Sequence, residues 1–328
     1  MKILLIRLSS IGDIVLTSPA IRCLARQTSH EIHYLTKDQN VSLVENDPNI
    51  NKIITFKDNL KETIELLKSE KYDYVIDLHN NMRSFMIKLN LRLPSSSLKK
   101  LDFRKWLYVT FKINLLPDRH IVDRNIDTLI RFNIKNDNKG LDFYISEDTK
   151  LPDEIILPGK YMVFAVGTQH YTKTVPPEYI IRIIDKINDI YPVILIGGKK
   201  EIEAGEIITS SCNNILNLVG KLNLQQSALL ISNSEFVFAG DTGMMHISAA
   251  LKKNLITLWG STSPELGFFP YFPYDFAGVN HWMERKDLKC RPCSKFGKKR
   301  CPRKHFNCVK YTDEQISGIR DIILKEIK

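Results

Sequence analysis

The sequence predicts an α/β protein made of two doubly wound units with mostly parallel sheets. Three observations carry this expectation. At 328 residues the chain is about twice the size of an ordinary domain. Short apolar runs alternate with segments of helical periodicity along its length, the pattern of repeated strand-helix-strand units. A polar, turn-rich stretch, Lys135-Asn136-Asp137-Asn138-Lys139-Gly140, followed by the breakers Leu151-Pro152 and Leu157-Pro158-Gly159, interrupts the alternation near mid-chain. The expected division is 1–150 for a first domain, 151–311 for a second with a cysteine-rich excursion over 288–309, and 312–328 for a terminal helix.

In the first half, ILLIRL, EIHYLT, KIITF and YVIDLH read as strands; in the second, YMVFAVG, PVILIGG, FVFAG and NLITLWG do. Their nearly continuous apolar character is that of strands covered on both faces. The terminal segment opens with Thr312-Asp313-Glu314, a helix start, and continues with apolar residues at helical spacing.

Hydrophobic content of 43% and charged content of 26% are those of an ordinary globular protein and exclude disordered and fibrous classes. No run reaches the roughly 18 apolar residues of a bilayer span. ILLI is too short for a signal-peptide core, so a cytoplasmic protein is expected. A formal charge of +10 asks for an anionic partner: nucleic acid, an anionic membrane face or a phosphorylated substrate. With no arginine-rich tail and no nucleic-acid-binding motif, nucleic acid is not expected.

Three strand-end stretches carry the candidate chemistry. Ser9-Ser10-Ile11-Gly12-Asp13 follows ILLIRL, where open parallel sheets bind ligands. A lone Gly12 is far from a dinucleotide fingerprint; what remains is a carboxylate at a helix start, for which the simplest use is as a cap. Gly240-Asp241-Thr242-Gly243-Met244-Met245-His246 follows FVFAG, and the N-H groups of Thr242, Gly243 and Met244 would face an anion at a helix N-terminus. A histidine placed like His246 is as readily a satisfied structural residue. Gly167-Thr168-Gln169-His170-Tyr171-Thr172-Lys173-Thr174-Val175-Pro176 follows YMVFAV and supplies hydroxyls and a lysine, equally the makings of a plain solvated loop.

Together these stretches, with Ser18-Pro19-Ala20-Ile21, Asp77-Leu78-His79, Trp259-Gly260-Ser261-Thr262 and Cys290-Arg291-Pro292-Cys293, resemble the family 9 glycosyltransferases, the ADP-heptose:lipopolysaccharide heptosyltransferases. The resemblance implies the GT-B fold, two Rossmann-like domains facing across a cleft, with the acceptor bound by the N-terminal half, the ADP-sugar donor by the C-terminal half, and a C-terminal helix, 312–328, able to cross back to the first domain. It implies that Asp13 is the general base, beside acceptor-binding Ser9, Ser10 and Gly12. It further implies donor binding by Thr168, Lys173, Asp241, Thr242, Gly243, Met244 and His246, with Gly197, Gly198, Gly220 and Lys221 bordering the adenosine. The implied reaction is inverting transfer of heptose from ADP-L-glycero-D-manno-heptose to a lipopolysaccharide inner-core acceptor, at the inner face of the inner membrane. A GT-B transferase using another donor or acceptor in cell-envelope glycan synthesis is the alternative. The chain has no Asp-x-Asp triplet, so no metal cofactor is required by this reading.

Four of the six cysteines cluster as Cys290-x2-Cys293-x7-Cys301-x6-Cys308, with His305 inside the last interval. Structural zinc on ligands drawn from these five residues, reduced packed thiols, and disulfides all remain open. A zinc-dependent nucleic-acid-binding protein would account for the charge and the cysteines but leave Asp13, Lys173 and the Asp241 to His246 run without purpose. Arg83, Lys88, Arg92, Lys99, Lys100, Arg104 and Lys105 are candidates to meet acceptor anions, as is the basic run Lys295 to Arg300 for a membrane or acceptor phosphates.

Overall fold

The computed structural model describes residues 1–327 and divides the chain into two compact α/β units. The first comprises Met1–Leu101, Asp118–Ser146 and Tyr271–Tyr274; the second comprises Asp102–Pro117, Glu147–Pro270 and Asp275–Lys328. Lys328, the last residue of the expected terminal helix, lies outside the described residues.

The first unit holds β1 (Lys2–Ile6), β2 (Glu31–Lys37), β3 (Lys52–Phe56), β4 (Tyr74–Asp77) and β5 (Ser95–Ser97), in the order β3-β2-β1-β4-β5, every pair parallel. Its helices are α1 (Ile11–Val15), α2 (Ser18–Gln27), α3 (Leu60–Ser69), α4 (Met82–Leu91) and, after an excursion of the chain through α5 (Asp102–Phe111) in the second unit, α6 (Ile121–Asp127). Leu4, Ile6, Leu35, Ile54 and Val75 from the strands meet Ile64, Leu67 and Ile87 from α3 and α4 in one core. The chain leaves β1 toward β2 on one side and returns to β4 on the other. The loops after β1 and β4 therefore flank a topological switch point, the place where such sheets bind ligands.

The second unit holds β6 (Met162–Ala165), β7 (Val193–Ile196), β8 (Ile215–Asn217), β9 (Phe236–Gly240), β10 (Asn254–Leu258) and β11 (Asn280–Met283), in the order β11-β10-β9-β6-β7-β8, again all parallel. Its helices are α5, α7 (Pro177–Ile184), α8 (Ile202–Ser211), α9 (Leu224–Asn233), α10 (Gly243–Ala250) and α11 (Asp313–Glu326). β6, β7 and β9 are buried at every position, which is what their uninterrupted apolar runs require of a sheet covered on both faces. Here the switch point lies between β6 and β9, flanked by the loops that begin at Val166 and Asp241.

Three expectations about organisation are corrected. The segment Asp102–Pro117 belongs to the second unit, because Lys105 is buried with its ammonium 3.9 Å from the centre of the Phe268 ring and Lys112 donates to the Pro292 carbonyl at 2.6 Å. Tyr271–Tyr274 belongs to the first unit: Tyr271 stacks on His120 and accepts a bond from Asn136 at 2.8 Å, while Pro273 presses on Gly140. Gly140 sits at φ +73°, and a Cβ there would lie 2.6 Å from Pro273, so a side chain is excluded twice over. The terminal helix α11 does not join the first unit. Its stripe of Ile316, Ile319 and Ile323 is buried in the second unit's own core beside Ile183 and Ile184 of α7, and Arg320 grips Asp189 from the same unit.

Candidate active site

In the first unit the apolar run of β1 ends in Arg7, a cation only 9% exposed. A buried guanidinium needs all its donors met. Arg7 meets this by donating to the Leu78 carbonyl after β4, to the Ser9 carbonyl at 2.8 Å, and to the Asp13 carboxylate at 2.8 Å. Asp13 is the third residue of α1 and also accepts from the backbone N-H of Ser10 at 3.2 Å and the Ser10 hydroxyl at 2.7 Å. The capping use expected of Asp13 is therefore real, yet the carboxylate stays 30% exposed rather than sealed. Gly12 is buried beneath it, Ser9 is half-buried and Ser10 exposed.

Burial raises the Asp13 pKa, but the Arg7 charge and the Ser10 hydrogen bonds outweigh it and hold the carboxyl below its ordinary value of 3.8. At neutral pH the site presents a carboxylate with lone pairs to spare. Across the switch point stands His79. Burial, helped by the Arg7 and Lys100 charges, pushes its imidazole down to about 4, so it is neutral at physiological pH. Its Nδ1 is buried with no hydrogen-bond partner among the described residues.

Asp77, at the end of β4, is fully buried. It accepts from the backbone of His79 and Asn80 at 3.0 and 2.7 Å and pairs with Lys88 at 2.9 Å. Lys88 is thereby consumed inside the fold, as Lys105 is under α5, so neither serves as a free contact for acceptor anions.

In the second unit the loop after β6 turns at Gly167, φ +84°, where a Cβ would lie 2.2 Å from the Glu201 side chain. Thr168 then ties the loop to itself: its hydroxyl lies 3.0 Å from that of Thr174 and donates to the His170 carbonyl at 2.8 Å. Lys173 reaches across to Asp241 after β9, Nζ to Oδ2 2.8 Å, with both side chains 14% exposed. Thr262, after β10, donates to the same Asp241 oxygen at 2.7 Å. Lys173, Thr168, Gly167 and Gly240 line one pocket together with Phe164, Val175 and Leu258.

α10 begins at Gly243 with Thr242 as its cap residue, and His246 is buried one turn in. The Thr242 hydroxyl is buried and has no hydrogen-bond partner among the described residues. The structure thus gathers Thr168, Lys173, Asp241, Thr242 and Gly243 at one switch point, with Met244 and His246 in the helix's opening turns. An ammonium, a hydroxyl and the positive end of a helix at one strand edge are the groups that suit an anion. Gly197 and Gly220 meet at the end of β7, where the Gly220 N-H bonds the Gly197 carbonyl at 2.9 Å.

The cysteine-rich excursion backs this site. Thr172 exchanges bonds with Lys298, N-H to carbonyl at 3.1 Å and hydroxyl from N-H at 2.7 Å, and its carbonyl accepts from Ser261 at 3.1 Å. Arg291 donates to the carbonyls of Gly260 and Thr262 at 2.7 and 2.8 Å and pairs with buried Glu284 at 3.2 Å. Gly297, φ +100°, lies so close to the lysine loop that a Cβ would be 2.5 Å from His170.

Among the described residues no group of three or more His, Cys, Asp or Glu side chains is placed to hold a metal ion. Cys290 Sγ lies 3.8 Å from His305 Nε2. Cys308 instead belongs to the second unit's apolar core, where burial pushes its thiol up to about 12, and Cys293 is raised for the same reason. The six cysteines are free thiols.

Compared with known proteins, the whole fold matches the structure of ADP-heptose lipopolysaccharide heptosyltransferase II of Escherichia coli at TM-score 0.75 and 21% identity, covering 100% of both chains. E. coli heptosyltransferase WaaC with ADP matches at TM-score 0.65 and 21% identity over 80% of this chain and 89% of that one. Two all-parallel, doubly wound units of this kind are the GT-B fold. In sequence, lipopolysaccharide heptosyltransferase 2 of Salmonella typhimurium is 25% identical over 297 residues, 81% of this chain and 84% of the relative. Residues 61–299 match glycosyltransferase family 9 (heptosyltransferase), and the chain belongs to that family.

Arg7, His79, Thr262 and Arg291 are the site residues that sequence reasoning passed over as participants. For Arg7 a signal existed: a lone cation closing a buried apolar strand must point at something charged.

Proposed function

We propose that the protein transfers heptose from ADP-L-glycero-D-manno-heptose to a lipopolysaccharide inner-core acceptor, with inversion and without a metal. The observation that carries this is the pair of ionic couples at the two switch points: Arg7 with Asp13 and Lys173 with Asp241, each at 2.8 Å. In the proposed reaction Asp13 takes the proton of an acceptor hydroxyl. The hydroxyl oxygen bonds to the anomeric carbon as the bond from that carbon to the diphosphate oxygen breaks, and the electron pair leaves with ADP. Lys173 and the N-H groups of Thr242, Gly243 and Met244 offset the charge that develops on the diphosphate. Asp241, held by Thr262, takes sugar hydroxyls, and His246 supports the sugar or phosphates from α10. The relatives' names, which specify heptose and lipopolysaccharide, and the neighbour bearing ADP support this donor and acceptor.

The site of action in this reading is the inner face of the cytoplasmic membrane. It is supported by the formal charge of +10 and by the fact that, among the described residues, no helix is long and apolar enough to cross a membrane. A different nucleotide sugar on the same fold is the second reading, favoured by the low identity to every relative named above.

Calorimetric titration with ADP-heptose, ADP, UDP and GDP in EDTA separates the two. Selective binding of the adenosine ligands, unchanged by EDTA, is expected. Preference for another nucleotide would leave the fold and remove the heptose.

A further inference from the structure

Surface helices of globular proteins turn their apolar stripe inward. α5 does the reverse. Its only buried residue is Lys105, whose ammonium lies over Phe268, and Lys112, one turn past Tyr108 on the same face, donates to the carbonyls of Pro292 and Cys290 at 2.6 and 3.2 Å. The opposite face carries Phe103 and Trp106, 70% and 46% exposed, stacked on each other with ring centres 5.9 Å apart. Phe111 meets Trp106 edge-on at 5.3 Å, and the chain continues with Ile113 and Leu115, both at least half exposed.

The excursion extends this face. Lys295 bonds Asp102 at the start of α5 at 3.2 Å, and the next residue, Phe296, is 58% exposed. The same segments carry exposed cations: Arg104 on α5, and Lys298, Lys299 and Arg300 after Phe296. Asp102, the one acid on α5, is neutralised by Lys295. Aromatic rings set among cations are the composition of a surface that rests in the headgroup layer of a bilayer, where rings sit at the boundary and Lys and Arg meet lipid phosphates.

We propose that α5, the segment through Leu115 and the Phe296 loop form a docking face for an anionic phospholipid bilayer. A protein partner would need a concave apolar complement. A bilayer needs only the inverted stripe and the positive rim, and both are present. The proposal deepens the transferase reading, on which the presence of a lipid-borne acceptor at that bilayer rests, but the docking itself needs neither donor nor acceptor.

The test is sedimentation of the full chain with phosphatidylethanolamine–phosphatidylglycerol vesicles against phosphatidylcholine vesicles, with ADP titration and thermal melting run on every variant. The wild type is expected to pellet with the anionic vesicles in a salt-sensitive way. Phe103→Ser with Trp106→Ser should weaken partitioning by about tenfold or more, and Lys299→Glu with Arg300→Glu by about tenfold, each with ADP binding unchanged. Trp106→Phe should keep partitioning while abolishing most of the tryptophan quenching by brominated lipid, since of the other two tryptophans Trp259 is 1% exposed and Trp282 is half-buried on β11, outside the proposed face. The proposal falls if the wild type stays in the supernatant, if it binds both vesicles alike, or if the double serine variant partitions as the wild type does. It also falls if the wild type self-associates and that variant is monomeric, which would make the face an interface between copies. Loss of ADP affinity in the wild type would count against the transferase reading and leave the docking result standing.

Discussion

The two switch points solve one problem in opposite ways. Each places an aspartate at the end of a central strand and couples it to a cation at 2.8 Å. At Asp13 acid and cation are neighbours in sequence, and the acid is clasped by its own helix cap while remaining 30% exposed. At Asp241 the cation comes from a different strand's loop, both side chains are 14% exposed, and a third strand supplies Thr262. The first arrangement keeps one carboxylate ionised and reachable, as a proton acceptor must be. The second holds a cation ready for exchange: a diphosphate that reaches Lys173 competes with Asp241 for it. In the proposed reaction the same pair of side-chain charges serves proton transfer in one unit and ligand capture in the other, and the difference lies in what holds the acid.

The largest effect that can break this comparison is Asp13→Asn. The amide keeps the cap geometry but has no basic oxygen, so transfer should fall about 10²- to 10⁴-fold with nucleotide affinity nearly unchanged and the melting temperature lowered, because the Arg7 charge loses its partner; steady-state turnover, an ADP titration and a thermal melt check all three. Lys173→Ala should act on the other side of the comparison. It removes a charged hydrogen-bond partner from the diphosphate and should weaken ADP binding about 10- to 100-fold by the same titration.

The smallest and most discriminating effect is in the pH profile of Arg7→Gln. Asp13 is held below 3.8 because the Arg7 charge and the Ser10 bonds outweigh burial, so the wild type should lose activity to protonation of Asp13 only below that value. Without the guanidinium, burial prevails over more of the balance and the acid limb should move to higher pH. Arg7→Lys should restore the low limb, and an unchanged limb in Arg7→Gln would show that Asp13 is not the group that titrates. The stability linkage has the same sign: a depressed carboxyl contributes at neutral pH, and its contribution disappears as pH falls through the folded value.

Eight strands were legible as apolar runs because burial on both faces leaves little room for polar residues. The three that were not, β5, β8 and β11, are short strands at or near a sheet edge, with sequences such as Ser95-Ser96-Ser97 that take their extension from a neighbour's ladder rather than from their own side chains. Asp13, Lys173 and the Asp241 run were legible because strand ends in parallel sheets are where ligands bind. The Lys173–Asp241 couple, the buttress of Arg291 under Thr262, and the placement of α5 were not. Each depends on which distant segments meet, and α5 in particular carries aromatics and cations in a pattern that one-dimensional spacing reads as an ordinary amphipathic helix. The terminal helix was misassigned for the same reason: its isoleucine stripe announces burial but not the core that receives it.

The interlacing of the two units also orders the protein's own birth. The first unit lacks Tyr271–Tyr274 until most of the second has been synthesised, so the pocket that receives Tyr271 between Asn136 and His120 waits open on the nascent chain. Lys173 waits longer still, because the backbone that pins its loop arrives with Lys298. Neither half can be cut out at the mid-chain breakers and remain whole, and the loop that carries Lys173 to Asp241 is fully pinned only when nearly the entire polypeptide is present.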